Sequence, residues 1–181
     1  MPQVCIFHAP DTTALNLEGL FLKTHWSLAV AVRISMLTSE MILSISDPFD
    51  LRPLTDCEKR KLAPFIPKID LDNADVHLGK VPWYFHLVRQ DFQGITRGND
   101  IYFRPGVYDP TTVAGLATLG HELVHVGQYR NGLTWAEYVW ASRHGDENNQ
   151  YEKPAYDKQD EIENTMTKEK CDGCPKQPGD K

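Results

Sequence analysis

DPTTVAGLATLGHELVHVGQYRNG, Asp109 to Gly132, is the stretch on which the reading of this chain turns. Asp109 followed by Pro110 offers an N-cap and a proline suited to a first helical turn, and Asn131-Gly132 supplies a stop after Arg130. Between them Val113, Leu116, Ala117, Leu123, Val124 and Val126 give enough apolar surface for a central, largely buried helix. Inside that apolar run stand three polar residues, His121, Glu122 and His125. Each would need a partner if buried, and binding one cation would supply partners together.

Residues four apart share a helix face, so His121 and His125 can direct two imidazoles at one ion about 2.0–2.1 Å from each nitrogen. Glu122 is offset by about one hundred degrees around the helix, a position from which a carboxylate can act as general base without occupying a ligand place. The pattern is that of a zinc site for hydrolysis of a peptide bond, with Glu122 as base and then acid. Such a site needs a third protein ligand and an open position. Glu152 is the choice, and His144, Asp146 and Glu147 compete with it from the polar loop around Gly145.

Working outward, Thr134 and Glu137 form a capping-box pair ahead of a helix over Trp135 to Arg143, ended by Gly145. A third helical segment starts near Tyr151, and Pro154 fits it only if the helix begins close to Glu152. From Lys158 the chain is polar and then rich in Pro and Gly, which predicts a disordered tail over residues 158–181. On the other side, Gly94 to Phe103 reads as a hairpin turning at Gly98-Asn99. Pro82 to Gln90 has roughly helical spacing, Ile69 to His77 looks extended, and Leu54-Thr55-Asp56 leads into a short helix over Cys57 to Ala63. Prolines at 48 and 53 suggest a boundary near Pro53. Residues 1–53 are thus an N-terminal segment of unassigned role, and 54–157 one α+β domain with a small sheet, a central HExxH helix and a following helix carrying the Glu ligand.

The formal charge of −6, without a basic run, argues against nucleic acid as a partner. The most apolar early stretch, Ser27 to Ile45, is broken by Arg33 and Glu40, against a membrane span. No secretory signal is visible, and four scattered cysteines (5, 57, 171 and 174) suggest no disulfide scaffold. The expected location is the cytoplasm of the producing cell, with any export by a route independent of a signal peptide. The lone Cys171-Asp172-Gly173-Cys174 pair carries no assigned function, and Trp135, Tyr138 and Trp140 are expected to pack against the HELVH helix.

HELVHVGQ at 121–128, preceded by GNDIYFRPG at 98–106 and followed by YEKPAY at 151–156, resembles the bacterial gluzincin-like metallopeptidase domain often encoded with extracellular contractile injection systems. The resemblance spans about Leu54 to Asp157. It implies zinc on His121, His125 and Glu152, the last in an ExxA setting with Ala155, and Glu122 as catalytic base. It also implies a peptide or protein substrate, possible association with an injection system or its toxins, and a peptide-binding edge strand beside the metal, for which Asp100 to Arg104 is the candidate. One departure stands out. Many gluzincins carry an aspartate four residues after the ligand glutamate, to support a metal-binding histidine, and here Tyr156 stands there with Asp157 next to it. The rival expectations are a metal-stabilised binding or packaging domain with little turnover, and a latent peptidase blocked by its terminal segments. Tyr151, Tyr156 and His144 are all candidates to stabilise an oxyanion.

Overall fold

The computed structural model describes residues 51–79, 81–83, 85, 92–143, 145 and 148–178. The expected segment before Leu51, most of the Pro82 to Gln90 helix, and His144, Asp146 and Glu147 lie outside these residues. The described chain is α+β, with a four-stranded mixed sheet of order β1-β2-β4-β3. In chain order come β1 (Leu51–Pro53), α1 (Asp56–Leu62), α2 (Lys68–Asn73), β2 (Asp75–Leu78), β3 (Gly94–Arg97), β4 (Asp100–Phe103), α3 (Val113–Arg130), α4 (Trp135–Ser142) and α5 (Glu152–Lys168). None of these helices is long and apolar enough to cross a membrane.

The expected hairpin is present: β3 and β4 pair antiparallel from Gly94↔Phe103 to Arg97↔Asp100, with Gly98 at positive φ in the turn. β4 then pairs parallel with β2, so it is an interior strand. This corrects the choice of Asp100 to Arg104 as the edge beside the site. β4 buries Ile101, Tyr102 and Phe103 in succession, as an interior strand does, and its additional pairing with β2 leaves β3 outermost. β1 pairs with β2 and so joins the sheet ahead of Leu54, where the domain was expected to begin. Ile69 to Asn73 is helical rather than extended, because Asp70 turns inward to a two-pronged ion pair with Arg130 of α3.

α3 lies on one face of the sheet. Leu116, Leu119, Leu123 and Val126 meet Val76, Ile101 and Phe103 in the main core, each such burial contributing roughly 1.5–3 kcal/mol. The helix starts at Thr112, whose hydroxyl accepts from the Gly115 amide, three residues later than the Asp109 start expected. Asp109 instead closes a turn by accepting from the Thr111 amide and hydroxyl.

α5 crosses α3 at Gly120, where a Cβ would stand 2.2 Å from Ile162 Cδ1. That close approach brings the start of α5 to the face carrying His121. The expected disordered tail is corrected: residues 158–168 continue α5, with Ile162 and Met166 fully buried. Two apolar residues one turn apart suffice to order a helix that has a groove to fill. Beyond it, Cys174 forms a disulfide with Cys57, 117 residues away, and Cys171 is also disulfide-bonded. The Cys174 amide donates to Pro110 O, and Lys61 Nζ donates to Asp172 O. Residues 171–174 therefore pack on α1 and the turn before α3.

Candidate metal centre

His121, His125 and Glu152 converge, with potential ligand atoms all within 4.8 Å of one another and all three side chains buried. Both imidazole Nε2 atoms face the same carboxylate oxygen: His121 Nε2 stands 3.2 Å and His125 Nε2 3.6 Å from Glu152 Oε2. Ligands bound about 2.0–2.1 Å from a tetrahedral ion lie about 3.3–3.4 Å from each other. The three residues therefore fit a metal ion in both spacing and donor chemistry.

Neighbouring groups fix the orientations. His125 Nδ1 lies 2.9 Å from Gln128 Oε1, and Gln128 Nε2 donates to Tyr151 O at 2.9 Å. The second bond sets the amide, so Nδ1–H donates and the Nε2 lone pair faces inward. Tyr138 OH donates to Glu152 Oε1 at 2.7 Å, leaving Oε2 to the histidines. The other support implied by the resemblance is not made. His121 Nδ1 is buried without a hydrogen-bond partner, Tyr156 meets the imidazole ring edge to face at 4.7 Å, and Asp157 pairs with Lys153.

Charge follows from this arrangement. Burial opposes ionisation of Glu152, yet hydrogen bonds from His121, His125 and Tyr138 and the charge of His125 hold it well below the usual carboxylate range. Burial likewise opposes a cationic His125, but Glu152 and Glu122 outweigh it and raise its pKa. Without metal, the inward space favours a proton on imidazole beside a carboxylate. A cation bound there would satisfy the same carboxylate and both imidazoles.

Glu122 sits one residue beyond His121 and outside the ligand group. Thr96 Oγ1 of β3 donates to its Oε2 at 2.7 Å. Its Oε1 packs against Gly94, where a Cβ would come within 2.5 Å of it and 2.9 Å of Phe103 Cε1, so a larger residue would displace the carboxylate or the ring. His121, Glu122, His125 and Glu152 all line a cleft of about 270 Å³, together with Gly94, Thr118, Tyr138, Tyr156 and Gln159. The structure thus brings together all four residues singled out in the sequence.

Three supporting residues were not foreseen. Gln128 lies three residues after His125, a helical spacing that was readable. Tyr138 was assigned to packing only; it is buried, and the need of a buried hydroxyl for a partner was the available signal. Thr96 had no local signal. Of the aromatic group around it, Trp140 is exposed instead of packing on α3.

Residues 62–133 match the family model of the eCIS core domain. The match takes in α2 through α3, with His121, Glu122 and His125, and stops before Glu152. No curated protein and no solved structure matches the chain.

Proposed function

We propose that this chain is a zinc-dependent peptidase of the gluzincin type, acting on a peptide or protein substrate connected with an extracellular contractile injection system. The observation that carries the reading is the opening of the His121, His125 and Glu152 group, with the separate Glu122 carboxylate, onto one cleft. The eCIS core domain match supports the connection with an injection system. Two imidazoles with a carboxylate suit zinc, and when bound it would lower the pKa of water toward about 7 and polarise a carbonyl.

The chain's own residues would do the rest. Thr96 holds one oxygen of Glu122, so the other is available to take a proton and pass it to the departing amine. Tyr138 and Gln128 keep Glu152 and His125 aimed at the metal. The outer edge of β3 beside Glu122 offers backbone groups to an extended substrate. Synthesis in the cytoplasm with export independent of a signal peptide is part of the proposal, the Cys57–Cys174 bond forming once the chain leaves a reducing compartment.

A second reading, a metal-stabilised binding or packaging domain, is favoured by the end of the family match before the third ligand. Glu122→Gln separates the two. The wild type is expected to hold about one zinc per chain and to cleave unfolded protein. The variant should keep the metal and lose roughly 10²–10⁴ in rate, as expected for a general base. Equal cleavage by the two proteins, or none by zinc-loaded wild type, rejects the peptidase reading. Zinc retained at wild-type affinity by Glu152→Ala rejects the third ligand.

A further inference from the structure

The four residues of β3 divide between two faces. Gly94 and Thr96 face α3 and the Glu122 carboxylate, while Ile95 joins Phe85, Phe92 and Tyr102 in a second apolar cluster on the opposite face. Arg97 shares the side of Ile95, at the exposed end of the strand. Its guanidinium stands over the Trp135 ring, 5.8 Å from the centroid. It has no ion-pair partner among the described residues. Trp135 stacks on Tyr138, which holds Glu152, so α4 ties the Arg97 platform to the metal centre.

Two measures place this cation relative to Glu122. Gly94 packs against the Glu122 carboxylate and Thr96 donates to it, so Arg97 stands one to three residues, about 3–10 Å, along the strand from the groups that meet Glu122. Burial raises the pKa of the Tyr129 phenol on α3, and the Arg97 charge, which lowers it, and the Glu122 charge, which raises it, both act on that group. The Tyr129 hydroxyl is itself buried without an acceptor. Asp100 is the cross-strand partner of Arg97, but its carboxylate lies 3.8 Å from His77 Nε2, and no ion pair joins it to Arg97 among the described residues.

We infer that Arg97, held on Trp135, is a specificity-determining residue that selects extended peptides carrying Asp or Glu about one to three residues from the bond at Glu122. The inference rests on the peptidase reading for its substrate class. An added strand would run along β3, and a side chain directed to the Ile95 and Arg97 side would meet the guanidinium. A lysine there would face a like charge beside an indole.

The test uses zinc-loaded Glu122→Gln and fluorescent ten-residue peptides that differ in one position, stepped along the chain as Glu, Gln or Lys. Anisotropy at low salt should show one position at which Glu binds about three- to fivefold tighter than Lys, the range of an exposed but well-held ion pair. The preference should shrink at high salt and invert in Arg97→Glu, with Arg97→Lys keeping part of it. Arg97 is exposed, so thermal melts of these variants should match the parent and exclude misfolding. Peptides that bind without charge preference, or with one that Arg97→Glu leaves in place, overturn this inference alone. Peptides that fail to bind at all overturn it together with the peptide-substrate reading.

Discussion

Two glutamates of this domain are equally buried, Glu58 with 0% and Glu152 with 1% of its surface exposed, yet their surroundings differ in kind. Glu58 accepts from both Arg52 nitrogens at 2.8 and 2.9 Å, from the Thr55 amide and hydroxyl at 2.7 and 2.9 Å, and from Tyr108 OH. Both its oxygens are satisfied by donors from β1, the α1 cap and the loop after β4. Glu152 has one oxygen tied to Tyr138 and the other facing two imidazole nitrogens. Burial alone therefore does not mark a functional carboxylate. What marks it is an oxygen whose remaining partners are themselves candidate metal ligands.

The sharpest way to separate the two regions is to cut the one around Glu58. Cys57, its neighbour on α1, closes a loop of 117 residues with Cys174, and a link of that span is worth about 4–5 kcal/mol in the chain-entropy account. Cys57→Ser with Cys174→Ser should lower unfolding free energy by that order in urea titrations. The extra stability given by saturating zinc, about 2.7 kcal/mol at one hundred times Kd, should persist. Loss of the zinc increment in the double variant would show that the two regions are one unit.

A smaller effect, about 3 kcal/mol, is expected for Glu58→Gln, which dissolves the ion pair with Arg52 while the zinc increment stays. Its pH signature follows from the direction of the shift. Burial opposes ionisation of Glu58, but Arg52, Tyr108 and Thr55 prevail and depress its pKa. A depressed carboxylate contributes stability above its unfolded value, lost as pH falls through the folded one. Wild-type stability should therefore fall on acidification below about pH 4.5, the ordinary glutamate value, more steeply than that of Glu58→Gln. Parallel acid titrations of the two proteins would break the assignment.

The sequence made the metal side of this comparison far more legible than the scaffold side. His121, Glu122 and His125 lie on one helix whose period fixes their relation, and Glu152 follows at the start of the next long helix. The Thr134 capping box was similarly local, whereas that of Thr55 with Glu58, equally local, was not read. What escaped reading depends on distant pairing. Glu58 meets Tyr108 across fifty residues, Cys57 meets Cys174 across 117, and the edge position of β3 exists only because β4 pairs with β2. The polar α5 carries two apolar anchors, Ile162 and Met166, which acquire meaning from the groove at Gly120. Composition over 158–181 averages those anchors away.

The finest distinction concerns Tyr138, which gives Glu152 the one donor that resembles the Tyr108 bond to Glu58. If the two phenols served the same structural purpose, removing either hydroxyl would cost stability and leave zinc untouched. The geometry argues otherwise for Tyr138. Its bond occupies Oε1 and thereby selects Oε2 for the space shared by His121 and His125. Tyr138→Phe keeps the ring that packs beside Trp135 and His125, so the fold should survive. Zinc affinity should drop by about 10- to 100-fold, the usual cost of losing a group that orients a ligand. Tyr108→Phe should leave affinity within twofold while lowering stability by about 1–3 kcal/mol. Competition titrations with a zinc chelator on both variants read the difference, and equal affinities would place Tyr138 with the scaffold.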